Sequence, residues 1–143
     1  MNVELDWNTL KELIELSFDG NYEDEDFLEA IWDISTNHLQ GKEVSVIVDR
    51  ENKLFISKGT GSFVDYKNES VKGLKIPMKC WIHTHPFGKA YFSGTDWDTI
   101  NNQHTILESA IVLGDMERMK WWKIDNREFL SKTNLTELTD SEE

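Results

Sequence analysis

Two histidines one residue apart, His83 and His85, are followed by Pro86, a serine at position 93 and an aspartate at position 96. Residue types in that order can hold a metal ion. Side chains of an extended strand alternate between faces, so His83 and His85 would project from the same face and reach one ion together. Pro86 has no backbone N–H to donate and would end the strand directly after the second histidine. The chain then crosses a loop over 87–92, and Ser93-Gly94-Thr95-Asp96 opens a predicted helix whose first turn returns Asp96 as a third ligand. Two neutral imidazoles and one carboxylate leave the fourth tetrahedral position of Zn²⁺ for water, an arrangement that catalytic zinc sites have and structural ones lack. The chemistry this set predicts is zinc-assisted hydrolysis.

Each of these residues also has a plainer use. Ser93 and Asp96 have the spacing of a helix N-terminal cap, in which a hydroxyl and an acidic side chain satisfy free amides and the positive end of the helix dipole. His83 and His85 could form the polar face of a strand without metal. His38 falls near the end of a predicted helix, where a histidine interacts favourably with the dipole. His104 lies two helical turns beyond Asp96 and is expected to be a packed or surface residue. Cys80, the single cysteine, has the opposite parity to His83 and is expected in the core. Trp81 and Trp97 flank the motif, and Trp81 shares the parity of the two histidines, so it would wall the site on its buried side.

The run His83-Thr84-His85-Pro86, six further residues and then Ser93-x-x-Asp96 resembles the signature of the JAMM (MPN-plus, JAB domain) zinc metalloproteases. The order of predicted elements from about Phe27 to Phe129 is also similar to the family's, so the resemblance covers most of the chain. It implies a glutamate at the start of a strand beside the histidine strand. Glu43, which begins the apolar run Val44-Ser45-Val46-Ile47-Val48, fits that place; Glu51 is a second candidate, within a predicted hairpin tip. The family often has a glycine a few residues after its glutamate, where Val46 and its neighbours stand here, and a proline before its serine, where Phe92 stands. RadC-like proteins share a comparable His-x-His-Pro pattern.

The resemblance implies one Zn²⁺ per chain held by His83, His85 and Asp96. Glu43 would take the proton of the attacking water and deliver it to the leaving amine. Ser93 would donate a hydrogen bond to the developing oxyanion, a role whose loss costs about 10²- to 10³-fold in turnover. The implied substrate is the peptide or isopeptide bond at the C-terminus of a ubiquitin-like modifier or its conjugates. Three alternatives remain open: a zinc peptidase of short or cell-wall peptides, a RadC-like protein of nucleic-acid metabolism, and a silent scaffold subunit.

The elements that must position these residues can be read from periodicity. A first helix begins after Asp6 or Asn8 with Leu10, Leu13, Ile14 and Ser17 on one face. The acidic cluster at 23–26 suits the start of a second helix with the stripe Phe27, Leu28, Ile31, Trp32, Ile34 and Leu39, stopped near Gly41. Strands are expected at 43–49 and 53–58, with 62–78 ambiguous and room for one further strand there. The histidine strand is expected at 79–84, a helix at 94–107, a buried strand at 109–113 and its hairpin partner at 119–124. The fold class expected is α/β (α+β): a mixed, mostly antiparallel sheet flanked by helices, for which the resemblance implies a JAB/MPN-like (cytidine-deaminase-like) architecture. Only a few residues separate the helix from the strand at 109, so the chain resembles a minimal prokaryotic-type or viral-type member lacking the second insertion of polyubiquitin-cleaving relatives.

The chain of 143 residues is long enough for one domain with one core, placed at 1–130, and ends in a polar, acidic stretch over 131–143 expected to be mobile. A single cysteine excludes an intramolecular disulfide framework, no apolar run reaches the length of a membrane span, and the first residues lack the pattern of a signal peptide. A soluble, cytoplasmic protein is expected. The net charge of −12 disfavours nucleic-acid binding, which relies on lysine and arginine to neutralise phosphates.

Overall fold

A computed structural model describes residues 5–59 and 72–135. Helix α1, Trp7–Leu16, starts where the Asp6 carboxylate accepts the Thr9 N–H at 2.7 Å, and it buries Leu10 and Ile14, four residues apart. Leu13 is more exposed than the periodicity predicts, because the stripe is one residue wide. Helix α2, Glu25–Asp33, is capped by Asp24 through the Phe27 N–H and carries Glu25 and Asp26 in its first turn, as the acidic cluster predicts. Phe27, Leu28 and Ile31 form its buried face. The helix then widens into a π-turn over Ile34–His38, where the Leu39 N–H bonds the Ile34 carbonyl at 2.9 Å. Gln40 and Gly41, with φ of 56° and 86°, turn the chain out of the helix. Glycine is favoured at 41 by the left-handed φ; the largely exposed Phe87 ring that covers the position could swing aside for a Cβ.

Six strands follow: β1 Glu43–Val48, β2 Leu54–Gly59, β3 Cys80–Thr84, β4 Ser109–Gly114, β5 Glu117–Ile124 and β6 Arg127–Asn134. They form one sheet in the order β2-β1-β3-β4-β5-β6. Among the described strands only the β3/β4 pairing is parallel, extended by the parallel Met78–Leu107 bridge, and helix α3, Gly94–Asn102, makes the crossover between them. The fold class is therefore the expected one, a mixed and mostly antiparallel sheet with helices packed on it. Val44, Val46, Val48, Cys80, Ile82, Ile111 and Leu113 face α1 and α2 on one side. Ile47, Trp81, Ala110, Val112 and Trp121 face the other side, with Phe92, Ile100 and Leu107 packed against them. Being covered on both faces explains why β1, β3 and β4 are apolar almost without interruption. Among the described residues, no helix is long and apolar enough to cross a membrane.

Most strand ends fall within one residue of the sequence reading, and four differences are larger or concern a whole segment. Helix α3 stops at Asn102, five residues short of 107, because Leu107 leaves the helix to bridge Met78 and pack in the core. Of the ambiguous stretch at 62–78, residues 62–71 lie outside the described residues, and 72–78 make only that single bridge. Strand β5 begins two residues before 119. The sheet also has a sixth strand: β6 runs to Asn134, pairing Ser131 with Lys120 and Asn134 with Glu117, so the folded part passes the boundary set at 130. This strand is exposed along its whole length and has no apolar alternation to announce it. Residues 136–143 of the expected tail lie outside the described residues.

Candidate metal centre

Strand β3 brings His83 and His85 to the face of the sheet that α3 covers, and α3 brings Asp96 to meet them. Its Oδ2 lies 3.0 Å from His83 Nε2 and 3.3 Å from His85 Nε2. The three side chains offer one ligand atom each, all within 4.8 Å of one another. His83 is fully buried, Asp96 nearly so, and His85 opens partly to solvent. The indole of Trp81 stacks on His83, as strand parity predicts, and Trp81 Nε1 donates to Ser45 Oγ at 2.8 Å.

The donor set fits a small divalent cation. With metal-ligand bonds of about 2.0–2.1 Å, two ligands of a tetrahedral ion lie roughly 3.3 Å apart, close to both measured separations. A second observation concerns the tautomer of His85. Its Nδ1 lies 3.3 Å from the Lys89 carbonyl oxygen, which can only accept, so Nδ1 carries a proton. A neutral His85 then points an Nε2 lone pair at the Asp96 carboxylate, which is repulsive unless a cation lies between them or the ring is itself protonated. A backbone carbonyl behind the distal nitrogen is also the usual support of a metal-ligating imidazole. His83 lacks that support, since its Nδ1 is buried without a hydrogen-bond partner among the described residues.

The electrostatics are those of a tightly coupled cluster. Burial works to raise the Asp96 pKa, but the hydrogen bonds from His83 and His85, joined by the Ser93 backbone N–H, hold it well below the usual carboxylate range. The hydrogen bond to Asp96 raises the pKa of His85 against the opposing effect of burial, and the charge of Glu43 adds in the same direction.

The helix-cap use of Ser93 and Asp96 is real and coincides with the metal-ligand geometry. Ser93 Oγ accepts the Asp96 N–H at 3.1 Å, while Asp96 Oδ2 accepts the Ser93 N–H at 2.9 Å. The same carboxylate oxygen thus closes the cap and faces both imidazoles, so the cap fixes the direction of Asp96. Ser93 keeps its own O–H for a further partner.

Glu43 stands at the start of β1, half-buried. Ser45 pairs with His83 in the antiparallel register, so Glu43, two residues back, falls opposite His85 and on the same face. Glu51 lies past the other end of β1, in the exposed turn, near Arg50 at 4.0 Å. His38 pairs with Asp33 at 3.4 Å and His104 with Glu128 at 3.6 Å, both away from the centre. Cys80 lies on the opposite face among α1 and α2 residues, its thiol pKa pushed up to about 12 by burial. Trp97 packs on Phe92.

Two aromatic residues near the site were not singled out by sequence. Tyr91 sets its ring edge-on to His85 at 5.0 Å, and Phe87, at φ 63°, holds a largely exposed ring over Gly41. Their placement depends on the 86–92 loop, which periodicity does not describe. That loop is tied to the β4–β5 hairpin: the Asp115 N–H bonds the Gly88 carbonyl at 2.8 Å and the Ala90 N–H bonds Glu117 Oε2 at 2.7 Å.

No family model, curated protein or solved structure matches this chain, so the chemistry of the site rests on its own geometry.

Proposed function

We propose that the chain is a zinc-dependent hydrolase of peptide or isopeptide bonds, with His83, His85 and Asp96 as metal ligands. The observation that carries this reading is the convergence of two Nε2 atoms on one buried carboxylate oxygen, with His85 held in the tautomer a metal ligand needs. Zinc bound there would polarise the scissile carbonyl and lower the pKa of a coordinated water to about 7. Glu43, across from His85 in the strand register, would accept a proton and pass it to the leaving amine. Ser93, with an unused O–H at the start of α3, is the candidate donor to an oxyanion. The partial exposure of His85 leaves the site an open side for substrate.

The resemblance of His83-Thr84-His85-Pro86 and Ser93-x-x-Asp96 to the JAMM (JAB domain) signature supplies the substrate class, the C-terminal bond of a ubiquitin-like modifier in the cytoplasm. The short 103–108 link between α3 and β4 leaves little surface for the modified protein, so recognition would rest on the modifier's tail. The test is a panel of linear fusions at the C-terminus of ubiquitin-like proteins beside short cell-wall peptides, with elemental analysis of the purified protein. Expected are about one zinc per chain, cleavage of a fusion, and loss of cleavage in Glu43→Gln at unchanged zinc content. Cleavage of the short peptides alone would replace the modifier reading with that of a general zinc peptidase, and metal-free protein that takes up no zinc would end both.

A further inference from the structure

Thr84 lies between the two candidate ligand histidines, so its side chain leaves the sheet on the opposite face, towards α2 and its π-turn. It is fully buried there, as is Ser35 of the π-turn. Thr84 Oγ1 accepts the Val44 N–H at 2.9 Å and lies 2.8 Å from Ser35 Oγ, and Ser35 Oγ donates to the Lys42 carbonyl at 2.6 Å. An amide only donates and a carbonyl only accepts, so each proton has one possible position. The Ser35 proton goes to Lys42, and the Thr84 proton goes to Ser35.

The two backbone groups at the ends of this relay belong to the peptide units on either side of the Glu43 α-carbon. Those planes set φ and ψ of Glu43. The backbone register between β1 and β3 runs from Val48 only as far as Ser45, opposite His83. Beyond that point the Glu43 end of β1 is tied to β3 by the Thr84 hydroxyl. Buried hydroxyls in an apolar layer are costly unless they are bonded, and a valine and an alanine would fill this layer without that cost.

We propose that Thr84 and Ser35 are positioning residues that fix Glu43 against His83 and His85, an assignment whose chemical meaning rests on the hydrolase reading above. They act from the side of the sheet away from the metal, through the peptide planes of Glu43. Removing either hydroxyl should loosen Glu43 on its β3 side, where only the β2 pairing through Gly59 still holds it, while leaving the ligand set, which β3 pairing and the α3 cap hold independently.

The test compares wild type with Thr84→Val, Ser35→Ala and Thr84→Ser by residue-resolved amide hydrogen exchange and by zinc titration calorimetry. Thr84→Val should speed exchange at Val44 by about tenfold relative to Ile82, the effect of one lost hydrogen bond, and Ser35→Ala, which keeps the Val44 bond but removes the partner of the Thr84 hydroxyl, by a smaller factor. Zinc affinity should stay within about threefold, and Thr84→Ser should restore protection. Unchanged relative exchange at Val44 in both variants would overturn the proposal, as would a parallel loss of zinc affinity, which would make the pair a support of the ligands. On a cleavable fusion, Thr84→Val should lower kcat at unchanged KM and add nothing to the loss in Glu43→Gln; an additive loss contradicts action through Glu43. A wild-type protein that binds no zinc would remove the hydrolase reading, and the exchange data would still judge the tether.

Discussion

The indole of Trp81 lies flat against the imidazole of His83, with ring centroids 4.3 Å apart and planes within 15° of parallel. The indole is fully buried and its N–H is fixed on Ser45, so the stack sets the plane of the His83 ring where no hydrogen bond to Nδ1 does. A cation bound at His83 should therefore change tryptophan emission, and Trp81→Phe should remove most of that change. A fluorescence titration with zinc checks it; an undiminished response in Trp81→Phe would place the reporter elsewhere. Trp81→Ala should cost about 3–5 kcal/mol in chemical denaturation, as large core truncations do.

The charge cluster sets a pH dependence for the metal-free protein. The raised pKa of His85 contributes stability that is full below its unfolded value of about 6.5 and is lost as pH rises through the folded value. The lowered pKa of Asp96 contributes stability present above about pH 4 and lost as pH falls towards the folded value. The stability gap between wild type and Asp96→Asn, measured by urea unfolding with chelator present, should be widest near pH 5 and narrow as pH rises through the raised His85 value. Zinc should reverse the upper limb, since it binds deprotonated imidazoles. A gap that widens from pH 5 to about pH 8 without metal would contradict the pairing.

Ser93→Ala removes one half of the reciprocal cap and no metal ligand. The expected loss is about 1 kcal/mol of stability, with zinc stoichiometry unchanged. If zinc were lost with the hydroxyl, the serine would have to be counted among the groups that hold Asp96 in reach of the ion.

How far the site could be read from sequence follows from how local its geometry is. His83 and His85 share a face by strand parity, and Ser93 and Asp96 meet through a single helical turn, so spacing alone predicts their approach. The apolar runs of β1 and β4 are continuous because both faces are covered, which made them readable too. Strand β6 is not legible in the sequence, since Phe129 and Leu130 are both exposed and no face of it alternates; its local signal is the two-residue turn at Asp125, which takes a left-handed φ of 56°. Helix α3 was overextended because nothing near Leu107 in sequence reveals Met78 as its partner. The Ser35–Thr84 contact spans 49 residues and depends on a π-turn that periodicity does not resolve.

Gly114 is required by a close approach. A Cβ there would stand 2.3 Å from Ala90 N and 2.7 Å from the Lys89 carbonyl carbon, both backbone atoms that cannot rotate away. Gly114→Ala should cost about 1–3 kcal/mol, the range for overpacking. Because Lys89 supplies the carbonyl behind His85 Nδ1, zinc affinity should also fall by about tenfold although no ligand is touched. Calorimetric titration at matched folded concentration separates the two effects, and unchanged affinity would show that the loop moves without disturbing His85.

The far end of β1 is organised by Asp49, a buried carboxylate that accepts N–H groups from Glu51 at 2.8 Å, Lys53 at 2.9 Å and Lys75 at 3.0 Å. It lies six residue steps of extended chain from Glu43, about 20 Å, well beyond the distance over which substitutions usually couple. One strand thus carries a fastening at one end and the proposed proton acceptor at the other. On the proposed hydrolase reading, the chain that Asp49 fastens, the segment leading into β3, can be lengthened, shortened or redecorated without retuning the acid at Glu43, and a library of insertions at that end should yield proteins that differ in melting temperature while sharing one turnover chemistry.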